Sequence, residues 1–178
     1  LVGSEMCIRD RDKLQIKKVL VTGPLADEDN FMTSRYGPNG LETVTVLAGL
    51  RNYLKGIADV DYAKGCDIVD AGWPATEILP APMSEQEKHG ITEAVAKADE
   101  SDVIIAVLGE DEYRTGESRS RTSLDLPGRQ QQLLEALHAT GKPVILVLIN
   151  GQPLTVNWAN AYIPAILESW FPGCQGGT

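Results

Sequence analysis

The sequence predicts an α/β fold: a three-layer αβα sandwich on a mostly parallel, doubly wound sheet of the flavodoxin-like kind. Three observations carry this. The runs VIIAVL at 103–108 and VILVLI at 144–149 are short, aliphatic and continuous, as strands buried on both faces are. Stretches with apolar residues at helical spacing stand between such runs, so strands and helices alternate and imply βαβ units. Turn signals close the strands at Gly23-Pro24, Lys64-Gly65 and Asn150-Gly151.

The elements follow in order. KKVLVTG at 17–23 reads as a first strand, and a polar stretch leads to Asn39-Gly40. Val46, Leu47, Leu50 and Leu54 recur at helical spacing and predict a helix over 43–54. A second strand is expected at 59–63. Residues 67–83 carry Trp73, Pro74, Pro80 and Pro82, which suits an ordered loop. Ser84 followed three residues later by Glu87 has the form of a capping box and starts a helix running to about residue 100. The strand at 103–108, a long loop, a helix over 129–139, the strand at 144–149 and a fifth strand over 164–170 complete the chain.

Composition bounds the function. A chain of 178 residues with 43% hydrophobic content builds one sizeable core. Its net charge of -9 argues against nucleic acid and anionic membrane surfaces, which call for a basic patch. No apolar run reaches bilayer length, and the start lacks a signal-peptide pattern. Cys7, Cys66 and Cys174 are too widely spaced for a zinc motif and read as isolated thiols. No Gly-rich phosphate-binding motif occurs, and neither metal nor cofactor is expected. EMCIRDR at 5–11 resembles the conceptual translation of a transposon-end adaptor used in sequencing libraries. Residues 1–11 are therefore expected to be non-native, with native sequence from 12.

The segment GEDEYRTGESRSRTSLDLP at 109–127 holds the candidate chemistry. A polar loop this long inside a compact α/β domain points to a site, and it leaves the carboxyl end of a strand, where such sheets bind ligands. Glu110 stands at the strand's mouth, and Glu117 lies among Arg114, Arg119 and Arg121. Either is a candidate general acid, and a glutamate flanked by arginines reads equally as a solvated salt-bridging residue. Arg119, Arg121 and Asp125 are expected to frame the loop with salt bridges. Asp111 is a candidate substrate-binding or loop-framing residue, expected with Glu112 to face solvent. Trp73 suits sugar stacking or a core plug. Trp158 and Trp170 are expected in core or interdomain packing, and His89 and His138 on the surface or in packing.

Taken together, Gly109-Glu110, GESRSRTSLDLPG at 116–128, GKPVILVLINGQP at 141–153 and AILESWFPG at 165–173 with Gly176-Gly177 resemble the C-terminal αβα domain of family 3 glycoside hydrolases. VTGP at 21–24, Tyr36-Gly37-Pro38 and Lys64-Gly65-Cys66 also fit its opening segments, so the resemblance covers nearly everything after Asp12. It implies a two-domain retaining enzyme, β-glucosidase-like, acting on terminal β-linked glucose of oligosaccharides. β-Xylosidase-type specificity, or a non-catalytic structural or carbohydrate-binding domain, is the alternative. An N-terminal (β/α)8 barrel of the same parent chain, needing about 250 residues of its own, would supply the aspartate nucleophile. The resemblance also implies a chain truncated at both ends, inactive by itself, from a periplasmic or secreted parent. Carried onto this sequence, the family's acid/base glutamate falls on Glu117, with Glu110 as rival, and either Arg119 or Arg121 matches the arginine that follows it.

Overall fold

The structure, a computed structural model, describes residues 15–30, 33–37 and 41–178. The segment read as non-native, Cys7, and Pro38, Asn39 and Gly40 lie outside the described residues. Among the described residues, five strands form one sheet: β1 (Lys18–Thr22), β2 (Asp59–Ala63), β3 (Val103–Gly109), β4 (Val144–Ile149) and β5 (Ala165–Glu168). All neighbouring pairs are parallel, in the order β2-β1-β3-β4-β5. The described helices are α1 (Val46–Tyr53), α2 (Glu85–Asp99), α3 (Gln130–Ala139) and α4 (Asn157–Tyr162).

This strand order explains the layers. The step from β1 to β2 moves one way along the sheet, and every later step moves the other way. With right-handed crossovers, the first helix must then cover one face and the remaining helices the opposite face. The packing obeys: Val19, Val21, Val103 and Val107 bury against Leu47 of α1 and Leu25. Leu20, Ile104, Ala106, Leu108 and Leu146 bury against Ile91 and Ala94 of α2, Leu133 and Leu137 of α3, and Ala159 of α4. Successive residues of one strand thus serve opposite cores, and that is why the strand sequences are continuously apolar. Each fully buried leucine in these layers contributes roughly 2 kcal/mol of transfer free energy.

Local chemistry starts and stops the elements. The capping box at α2 is present: the Glu87 N–H donates to Ser84 Oγ at 3.2 Å, and the Ser84 N–H to Glu87 Oε2 at 2.6 Å. Thr45 caps α1, accepting from the Ala48 N–H at 3.1 Å. The loop at 67–83 is ordered around a 3-10 turn, Ala75–Glu77. Two expectations needed adjustment. The fifth strand spans only Ala165–Glu168: Pro164, without an N–H, precedes it, and Trp170 at φ 53° leaves the extended conformation. The six-residue α4 went unpredicted, being too short to show a helical period. His138 packs edge-on against Trp158, with ring centroids 5.5 Å apart, while His89 is exposed. Trp170 is 49% exposed and lies outside the core of this domain.

Candidate active site

The switch point of this sheet lies between β1 and β3, where connections depart in opposite directions and leave a crevice at the carboxyl ends. Two connections flank it: the one after β1 and the long loop after β3. Gly109 ends β3 at φ 140°, and a Cβ there would lie 1.9 Å from the Ile149 carbonyl oxygen, so only glycine fits. β1 pairs with β3 only as far as Ala106, leaving the Gly109 backbone without a strand partner on that side. Gln130, the first residue of α3 and fully buried, takes that role. Its Oε1 accepts from the Gly109 N–H at 2.8 Å, and its Nε2 donates to the Gly109 carbonyl at 2.7 Å and the Ile68 carbonyl at 2.9 Å.

Glu110 follows at once and is 0% exposed. Its Oε2 accepts from Arg121 Nη1 at 3.0 Å and Gln152 Nε2 at 3.1 Å. Oε1 is buried with no partner among the described residues. Burial raises the Glu110 carboxyl above its ordinary range, against the Gln152 and Arg121 hydrogen bonds and the Arg121 charge, which favour the charged form.

Arg121 is the hub of the loop. Its Nε and Nη2 each reach Glu77 Oε1 at 2.9 Å, and Nη2 also donates to the Asp125 carbonyl at 2.7 Å. Glu77 Oε2 takes the Thr122 hydroxyl at 2.7 Å and its N–H at 3.2 Å. Burial alone would raise Glu77, but the Thr122 hydroxyl, Arg121, the Thr122 N–H and the Trp73 indole outweigh it and hold the carboxyl at about 2. One guanidinium therefore ties the loop's beginning, its end and the connection after β2 together.

Several expectations change here. Asp111 does not face solvent: it is 2% exposed, paired with Arg114 through Oδ2, and accepts the Tyr113 N–H at 3.0 Å. Glu112 is half-buried. An acid three residues before an arginine in a tight turn folds inward because the two charges satisfy each other. The Asp125 carboxylate pairs with the Ser123 hydroxyl at 2.9 Å rather than with an arginine, and only its carbonyl meets Arg121. Arg119 is exposed at the loop's tip. Trp73 is half-buried, with Arg114 4.8 Å over its ring and its Nε1 donating to Glu77 at 3.3 Å. It belongs to the loop's frame rather than to the core. Burial pushes the Cys66 thiol up to about 12, the mark of an unreactive packing residue.

Glu117 occupies the opposite situation from Glu110. It is exposed, between Gly116 at φ 100° and Ser118 at φ 60°. Its N–H donates to Tyr36 Oη at 3.0 Å, and Arg35 Nη1 donates to its carbonyl at 3.2 Å. Its carboxylate has no partner among the described residues. The connections after β1 and β3 thus meet at this residue. Glu77, Gln130, Gln152 and Tyr36 complete the arrangement. The sequence marked none of them as functional, although Tyr36 and Gln152 stood within noted motifs.

Fold and loop together define a flavodoxin-like αβα domain that presents a polar loop at the switch point of its sheet. Residues 13–178 match the Glycosyl hydrolase family 3 C-terminal domain, and the chain belongs to that family. A β-xylosidase of Formosa agariphila is 39% identical over 172 residues, covering 93% of this chain and 22% of its own length. A periplasmic β-glucosidase of Salmonella typhimurium is 39% identical over 178 residues, covering 93% and 23%. Among solved structures, a β-glucosidase from Erythrobacter marinus aligns with a TM-score of 0.78 at 33% identity, over 96% of this chain and 24% of that one. The chain spans about a quarter or less of the length of these relatives. Among the described residues, no helix is long and apolar enough to cross a membrane.

Proposed function

We propose that this domain serves a retaining β-glucosidase that removes terminal β-linked glucose, and that Glu117 is its acid/base. One observation carries the choice of residue. Of the two loop glutamates, Glu117 is exposed with its backbone tethered and its carboxylate free, whereas Glu110 is enclosed and bound to Arg121 and Gln152. A group that meets a glycosidic oxygen must reach the substrate. Glu110 reaches it only if the Arg121 hub opens.

The chemistry assigns two steps to Glu117. Its carboxylic acid gives a proton to the glycosidic oxygen as the C1–O bond breaks, while a carboxylate about 5 Å away on the opposite face of the sugar bonds to C1. The resulting Glu117 carboxylate then takes a proton from water as that water attacks C1 and releases the second carboxylate. The partner carboxylate belongs to the (β/α)8 barrel we assign to the remainder of the parent chain, so the domain alone turns over no substrate. The Salmonella typhimurium relative is named as periplasmic, and that supports an extracytoplasmic parent.

A second reading concerns the sugar. The Formosa agariphila relative, at the same identity, is named a β-xylosidase. Rates on aryl β-glucosides and aryl β-xylosides, measured on the full-length parent, decide between the two. The acid/base role is tested by leaving-group dependence in the same protein. Glu117→Ala should slow cellobiose hydrolysis by a hundredfold or more within the range typical of acid/base groups, roughly 10²–10⁴. A dinitrophenyl glucoside, whose leaving group needs no proton, should form the glycosyl-enzyme at nearly the original rate. Equal losses on both substrates would count against the role.

A further inference from the structure

Glu117 is held by its backbone rather than by its side chain. Both partners come from residues 33–37, 81 and 82 residues earlier in the chain. That segment is a built turn: the Gly37 N–H donates to the Ser34 carbonyl at 2.7 Å, and the Tyr36 N–H to Ser34 Oγ at 3.3 Å. The Arg35 guanidinium lies 5.6 Å from the centroid of the Tyr36 ring, so the two side chains brace each other. Gly116 seats the loop against them. A Cβ there would lie 3.0 Å from Arg35 Cδ and 3.4 Å from Tyr36 Oη, on a backbone already at φ 100°.

Water would satisfy an exposed N–H and C=O equally well, so burial does not demand these bonds. What they change is freedom. With its N–H on one partner and its carbonyl on the other, Glu117 has a fixed backbone, and only rotation about its side-chain bonds remains. Positioning of this kind matters for catalysis, because a displacement of about 1 Å at the reacting group can cost on the order of a hundredfold in rate.

We infer that Tyr36 is a positioning residue for Glu117: its hydroxyl, with the Arg35 guanidinium, fixes the peptide that carries the acid/base. The inference rests on the reading of Glu117 given above. It makes the connection after β1 a strap on the connection after β3, across the switch point.

Tyr36→Phe tests it with little risk to folding, since the ring is 67% exposed and only the hydroxyl is removed. In the 178-residue chain, hydrogen exchange at the Glu117 amide should accelerate about tenfold or more while the melting temperature stays within a degree or two. In the full-length parent, kcat on cellobiose should fall about tenfold with KM unchanged, and glycosyl-enzyme formation from a dinitrophenyl glucoside should hold. The double variant with Glu117→Ala should be no slower than Glu117→Ala alone. The outcomes separate. If Glu117→Ala matches wild type, the acid/base reading fails. If Glu117→Ala is slow but Tyr36→Phe matches wild type, the strap is wrong. A Tyr36→Phe loss that is equal on both substrates, or that adds in full to Glu117→Ala, overturns it too, because a general structural role would behave so.

Discussion

Arg121 Nη1 stands 3.0 Å from Oε2 of Glu110, and the two side chains are 2% and 0% exposed. This pair joins the first residue of the loop after β3 to a residue eleven positions on. The intervening residues, Glu117 among them, form a closed excursion from the end of the central strand. Glu77 completes the pair from another connection, so Arg121 faces two carboxylates and neither buried charge is left alone.

Glu77→Gln should destabilise the chain in a pH-dependent way. The folded carboxyl, at about 2, lies below its ordinary 4.5. Its contribution is therefore present above about 4.5 and lost as pH falls toward 2. At neutral pH the ceiling is on the order of 3 kcal/mol, each pH unit being worth about 1.4 kcal/mol. Urea unfolding of both proteins at pH 7, 5 and 3 should show a gap that narrows on acidification. A constant gap would contradict the linkage.

Glu110→Gln should respond with the opposite sign. Burial raises the Glu110 carboxyl, so the stability it contributes is present at low pH and lost as pH rises through the folded value. The variant should gain on wild type between pH 4 and pH 8, with Arg121 still paired to Glu77. A variant that falls further behind wild type with rising pH would show that the ion pair outweighs desolvation.

Gln130→Leu should cost roughly 2–4 kcal/mol, since it leaves the Gly109 N–H and carbonyl and the Ile68 carbonyl buried without partners. Chemical denaturation reads this directly. In the full-length parent, activity should fall as well, because the loop departs from the residue that Gln130 holds. A loss below about 0.5 kcal/mol would mean that water replaces the side chain.

Gly109→Ala should cost on the order of 3 kcal/mol or more, combining an unfavourable φ with a collision against the Ile149 carbonyl. A variant as stable as wild type would require the ends of β3 and β4 to shift apart. Amide exchange along β4 would reveal that shift.

Strands and helix starts were legible because each has a local cause. The continuous aliphatic runs of β3 and β4 required burial on both faces, and Ser84 with Glu87 is a self-contained signal four residues long. The loop's importance was legible too, from its length and its departure point. The separation of its two glutamates was not. Glu110 is enclosed because Gln152, 42 residues later, closes over it, and Glu117 is tethered because a turn 81 residues earlier reaches it. Tyr36 and Gln152 each stand in a noted motif, but neither motif shows which distant residue it meets. Glu77 was missed for the same reason: among prolines it reads as a loop acid, and only the fold brings it to Arg121, 44 residues away. Asp111 misled because charged neighbours in sequence suggest solvent, whereas the turn folds it onto Arg114.

Chemical rescue tests the assignment of Glu117 most directly. With Glu117→Ala in the full-length parent and a dinitrophenyl β-glucoside as substrate, turnover should stall at the glycosyl-enzyme, because no base assists water. Added azide needs no base and should restore turnover with β-glucosyl azide as the product, while Glu110→Gln should show no azide dependence. Rescue of Glu110→Gln but not of Glu117→Ala would transfer the acid/base role to the buried glutamate and contradict the assignment made here.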